Sequence, residues 1–160
     1  MNVHTYICIL NLETAIKSTT FKTQKLKAGL NILYTAWWLK TRISGELKKF
    51  GLTHEQYNVL RILKGKHPDQ MCVRDIADRM IEKNSNVPRI IDRLELKKMV
   101  KRSNSSEDKR ETVVTITAVG INILKITTED IDAVFDTIIP IPEDKAKTLN
   151  ELLELFRSKE

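Results

Sequence analysis

The residues best suited to specific chemistry sit close together in the middle of the chain: Asn84, Ser85 and Asn86, followed by Pro88, Arg89 and Arg93. On a helix turning about 100° per residue, Val87, Ile90, Ile91 and Leu94 share one face. Ser85, Arg89, Asp92 and Leu96 then point the other way, flanked by Asn86, Pro88 and Arg93. An arginine fork matches the O6/N7 edge of guanine and an asparagine amide matches the N6/N7 edge of adenine. Asn86, Arg89 and Arg93 therefore carry groups that can read bases in a major groove, while Asn84 and Ser85 suit phosphate or base contacts. The same spacing permits a plainer arrangement, in which Arg89 and Arg93 pair with Asp92 and Glu95 on the helix surface.

A second cluster lies at residues 105–110, S-S-E-D-K-R. An arginine at a hairpin tip can enter a narrow minor groove, where negative potential is strongest, and a neighbouring aspartate can fix its guanidinium. Arg110 and Asp108 fit those roles and Lys109 adds a cation; the alternative is a solvated charged turn. Between residues 83 and 110 nine basic side chains face four acidic ones, a local excess of five, against +6 for the whole 160-residue chain with its pI near 9.3. Charge concentrated in this way is the footprint of a polyanion site, since a merely soluble surface intersperses its signs.

The elements that must position these residues can be read from periodicity. Residues 18–50 lack proline and carry Leu26, Leu30, Leu33, Trp37 and Leu47 near helical spacing, which predicts a long helix ended by Gly51. Thr53 and Gln56 form a capping box, with Leu52 and Tyr57 as a hydrophobic staple, at the start of a helix over 53–63 that Gly65 to Asp69 then breaks. After a short extended piece at Met71 and Cys72, the spacing of Val73, Ile76, Ala77 and Met80 predicts a second short helix. Asn84 and Ser85 can cap a third, in which Pro88 is tolerated because it falls in the first turn. Three short helices with four to six residues between the last two form a helix-turn-helix pattern. Two β-rich runs at 99–103 and 111–117 make a hairpin too small to stand alone, the wing of a winged helix. The last 40 residues return to helix, with apolar stripes at Ile131, Val134, Phe135 and Ile138 and at Leu149, Leu152, Leu153 and Phe156, separated by Pro140 and Pro142.

One folding unit is expected from this length and hydrophobic content. Cys8 and Cys72 belong to no CxxC pair, so neither a disulfide framework nor a zinc site is indicated, and no segment approaches a membrane span. A soluble cytoplasmic protein is expected, without cofactor or metal. No Gly-rich phosphate loop, HExxH or GxSxG motif is present, so an enzyme is not indicated.

The run K-N-S-N-V-P-R-I-I-D-R-L-E-L-K-K-M-V-K-R (residues 83–102), then E-D-K-R (107–110) and T-I-T-A-V-G (115–120), resembles the signature of the MarR family of winged helix-turn-helix regulators. The resemblance covers roughly residues 30–124, and the terminal helices only by pattern. It matches Asp92–Arg93–Leu94 to the end of a recognition helix, Asp108 and Arg110 to a wing motif, and Thr117 and Gly120 to the start of the next helix. It implies a mainly α fold with a small β-hairpin wing, in which residues 52–118 bind duplex DNA and the helices of 18–50 and 119–160 interlock in a homodimer. It further implies two recognition helices in successive major grooves, hence a pseudo-palindromic operator. Pro88 stands where relatives often have a polar residue, and residues 1–17 are an extra piece that could add a dimer helix.

Many such regulators release DNA when a small aromatic or anionic effector binds, and Tyr34, Trp37, Trp38 and Arg42 could supply its walls and a cation. Alternatively the aromatic rings fill the dimer core. Relatives that sense oxidants do so through an N-terminal cysteine, but Cys8 lies in Y-I-C-I-L without a basic neighbour, so packing is expected for it and for Cys72. The rival to a specific regulator is a winged helix serving DNA architecture or protein contact.

Overall fold

Two left-handed residues end the helices on which the fold is built. In the computed structural model, which describes residues 11–18, 20–83, 85–105 and 110–158, α2 spans Gln24–Lys49 and stops where Gly51 takes φ 66. The amides of Gly51 and Leu52 then bond back to the carbonyls of Lys48 and Leu47, both at 3.0 Å, which is a Schellman motif. The helix α5 (Val87–Leu96) ends in the same way: Lys98 lies at φ 59, with Lys98 N–H on Glu95 O at 2.8 Å and Met99 N–H on Leu94 O at 3.0 Å. Here a lysine bears the steric cost that glycine escapes. Lys98→Gly is therefore expected to raise unfolding stability by about 1 kcal/mol, measured by urea denaturation. An unchanged or lower midpoint would show that the lysine side chain offsets its backbone cost.

The described residues fall into two compact units, one up to Gly45 and one from Glu46. The first contains α1 (Leu12–Ile16), capped by the Asn11 side chain, and most of α2. The expected helix over 18–50 is shorter at its start. Residues 18 and 20–23 are not helical, because the Thr23 hydroxyl accepts the Leu26 N–H at 3.1 Å and caps α2 at Gln24. Lys27 Nζ donates to Glu13 Oε1 at 2.5 Å, a bond that holds the Glu13 carboxyl below its usual value. Within the extra N-terminal piece, Tyr6 and Cys8 lie outside the described residues.

The second unit carries the compact core. Its α3 (His54–Lys66) opens on the full capping box: Gln56 N–H on Thr53 Oγ1 and Thr53 N–H on Gln56 Oε1, each 3.2 Å. Leu52 and Tyr57, the staple pair, are both buried. The helix runs through Gly65, beyond the expected break. A single glycine costs a helix only about 1 kcal/mol, and the stop comes at His67 and Pro68, since proline excludes helical backbone from the residue before it. The strand β1 (Met71–Cys72) follows, and Cys72 is buried as expected; its Sγ accepts Asp75 N–H at 3.4 Å, capping α4 (Val73–Arg79).

Residues 80–86 separate α4 from α5, one more than the longest expected turn, because the cap of α5 is Asn86 rather than Asn84 or Ser85. Asn84 lies outside the described residues. Strands β2 (Val100–Asn104) and β3 (Thr112–Ile116) pair antiparallel from Val100–Ile116 to Asn104–Thr112, and β1 joins the other edge of β3, giving the order β1-β3-β2. Val59, Leu60, Leu63, Ile76, Ile91, Leu94 and Val114 are almost wholly buried and tie the three helices to the sheet. The chain returns as α6 (Ala118–Ile138), breaks at Pro140 and Pro142, and ends in α7 (Glu143–Phe156), none of whose residues is buried. The result is a mainly helical winged helix-turn-helix with a small antiparallel sheet.

Candidate nucleic-acid interface

The face that α5 turns outward follows from what its other face must bury. Val87, Ile91 and Leu94 are buried and Ile90 is half-buried, so the helix is fixed with Pro88, Arg89, Asp92, Arg93 and Leu96 exposed. Asn86 Oδ1 accepts the Arg89 N–H at 3.2 Å, and Pro88 sits in the first turn, where it breaks no helical bond. Asn86 thus spends one amide lone pair on the cap. Its NH2 and a second lone pair stay available. A groove of about 330 Å³ between the start of α3 and α5 gathers Ser85, Asn86, Arg89 and Arg93 alongside Thr53 and Gln56. Four of the residues singled out in the sequence are thereby brought together on one surface.

The acids of α5 do not neutralise its arginines. Asp92 Oδ1 lies 2.5 Å and Glu95 Oε2 3.1 Å from Arg102 Nη1 in β2, and the Arg102 backbone N–H donates to Glu95 Oε1 at 3.0 Å. Arg102 Nη2 also donates to the Pro88 carbonyl at 3.1 Å. Among the described residues neither Arg89 nor Arg93 has an ion-pair partner. At the other end of the helix Lys97 Nζ donates to Gly51 O at 2.5 Å and to Gln56 Oε1 at 3.0 Å. Lys97 and Arg102, which the charge count placed among the polyanion-binding side chains, are braces of the scaffold. Only the fold could show this, because both reach partners that the sequence separates from them or that another element presents.

The hairpin closes through Ser105 N–H on Glu111 O at 2.9 Å, and Arg110 is exposed beside it. Asp108 and Lys109 lie outside the described residues. Behind the wing, Thr117 caps α6: its hydroxyl accepts Gly120 N–H at 3.1 Å and donates to Lys98 O at 2.7 Å. The aromatic residues of α2 form two pairs. Tyr34 and Trp37 have ring centroids 5.6 Å apart, tilted by 46°, and the Arg42 guanidinium lies 5.9 Å from the centre of the Trp38 ring. Among the described residues no helix is long and apolar enough to cross a membrane.

A profile of the MarR family matches residues 52–112, from the staple of α3 to the first residue of β3. Over this stretch the chain is similar to the MarR family. The chain is 28% identical over 136 residues to the HTH-type transcriptional regulator MhqR of Bacillus subtilis (strain 168), covering 84% of this chain and 91% of that protein. Among solved structures it resembles a MarR transcription factor from Planctomyces limnophilus, at 29% identity and TM-score 0.66 over 86% of this chain and 98% of that one. The fold also matches that of S. aureus MepR in its DNA complex, at 22% identity and TM-score 0.74 over 88% and 100% of the two chains. The MarR family and these relatives are transcription regulators and not enzymes. In the arrangement these folds share, α4 and α5 form the helix-turn-helix and β2 and β3 form the wing.

Proposed function

We propose that this chain is a sequence-specific DNA-binding transcriptional repressor that occupies a pseudo-palindromic operator as a homodimer in the cytoplasm. The observation that carries the reading is the outward edge of α5, where Arg89 and Arg93 are exposed and unpaired among the described residues. Two guanidiniums one turn apart, with the Asn86 amide at the helix start, offer the donors that guanine and adenine edges accept in a major groove. Ser85 beside them suits phosphate. Arg110, with Asp108 and Lys109 beside it in the sequence, enters the minor groove from the wing.

The dimer part of the proposal rests on apolar side chains that each unit leaves in water: Leu33 and Trp37, 69% and 60% exposed, on α2, and Leu152, Leu155 and Phe156, 59–69% exposed, on α7. Such stripes are covered in stable proteins by another apolar face, here a second copy. Release by a small aromatic or anionic ligand belongs to the same proposal, supported by the Tyr34–Trp37 and Trp38–Arg42 pairs. The ligand acts by binding more tightly to dimers whose recognition helices do not match the groove spacing.

Selection of bound duplexes from a random pool at fixed salt tests the reading. The expected result is one pseudo-palindrome with half-sites about one helical turn, roughly 34–36 Å, apart, and weaker binding of it by Arg110→Ala. No enriched sequence, with equal binding by the variant, would overturn it in favour of an architectural or protein-binding winged helix.

A further inference from the structure

Resting on the proposed DNA reading, we infer that Arg102 is a charge lock: it draws the carboxylates of Asp92 and Glu95 away from the recognition face and so keeps Arg89 and Arg93 unneutralised for DNA. Residues three and four apart on a helix are surface neighbours, so Asp92 is placed to pair with Arg89, and an acid there would also repel phosphate. It is instead held at 2.5 Å by a guanidinium from the wing. Glu95 is gripped twice, by Arg102 Nη1 at 3.1 Å and by the Arg102 amide at 3.0 Å. The remaining reach of Arg102, from Nη2 to the Pro88 carbonyl at 3.1 Å, extends the same hold to the first turn of α5.

Four bonds from one residue thus span the helix from Pro88 to Glu95, and the chemistry needs arginine. A planar fork can address two carboxylates and a carbonyl at once, whereas an ammonium is a point charge without that geometry. The Arg102 side chain is only 27% exposed, against 57% for that of Asp92, so its own charge is spent inward while the acid it restrains borders the reading face. Arg102 is accordingly a positioning residue, distinct from one that grips phosphate.

The two roles differ in their salt dependence and in what rescues them. Binding of the full chain to the selected operator and to a duplex of random sequence is measured over a salt series for wild type, Arg102→Gln, Arg102→Lys, Asp92→Asn and Arg102→Gln/Asp92→Asn, with circular dichroism to confirm the fold. Arg102→Gln is expected to weaken operator binding roughly tenfold while leaving the salt slope as in wild type, because a lost phosphate contact would lower that slope by about one. Arg102→Lys, which keeps the charge, weakens it similarly. Adding Asp92→Asn to Arg102→Gln restores most of the loss, whereas Asp92→Asn alone changes affinity little. A slope reduced by about one without rescue by Asp92→Asn makes Arg102 a phosphate contact and overturns the lock. Wild-type affinity in Arg102→Gln overturns it too, as does a loss of fold in both Arg102 variants that Asp92→Asn leaves unrelieved. A wild type that binds but selects no sequence overturns the specific-regulator reading alone, and the lock is then read on the random duplex.

Discussion

Gly120→Ala is expected to lower unfolding stability by about 3 kcal/mol, at the upper end of what one inserted methyl costs in a packed interior. The methyl would stand 2.2 Å from the Met99 carbonyl oxygen and 2.9 Å from Ile116 Cγ1. The first of these is backbone, so no side-chain rotation relieves it. That carbonyl also accepts the Thr117 N–H at 3.0 Å, and the Thr117 hydroxyl caps α6 through Gly120 N–H while bonding Lys98 O. Pushing α6 off Met99 therefore strains the junction that joins the C-terminal helix, the wing and the end of the recognition helix. Urea denaturation followed by circular dichroism measures the loss. A change under about 1 kcal/mol would mean that α6 shifts freely at its first turn and that the wing is not anchored there.

What the sequence made legible was local. The Thr53–Gln56 capping box, the Leu52–Tyr57 staple and the Gly51 stop depend on residues within five positions of one another, and all three stand in the fold. The stripe of Val87, Ile91 and Leu94 foretold which side of α5 is buried, and hence that Arg89 and Arg93 face out. The helix starts were harder. Asn84, Ser85 and Asn86 are all good caps, and the choice among them was made by where Val87 and Ile91 pack. The long helix expected from residue 18 starts instead at Gln24, where the Thr23 hydroxyl caps it.

Charge was legible as a sum but not in its distribution. Asp92 lies three residues after Arg89, a spacing that presents it as a pairing partner; the competing cation, Arg102, comes from β2 once the hairpin folds against α5. Lys97 meets Gly51 and Gln56, more than forty positions away. Spacing along the chain holds no record of such contacts.

Replacing Arg89 or Arg93 with alanine is expected to cost about 1–3 kcal/mol of operator binding each, the worth of a bidentate contact with a guanine edge. The loss should fall on sequence preference: repeating the selection with each variant relaxes one position of each half-site, and the symmetry of the operator relaxes both halves together. Neither arginine is tied to an acid among the described residues, so neither substitution unseats a brace, and thermal stability should stay within about 0.5 kcal/mol of wild type. That combination separates reading from gripping, since a phosphate-bound arginine would weaken all sequences alike and lower the salt slope by about one. If both variants bind every duplex as wild type does, α5 does not lie in the major groove. The exposed edge of Pro88, Arg89, Arg93 and Leu96 would then have to be explained by another partner, and the 83% exposure of Leu96 makes a protein surface the first to try.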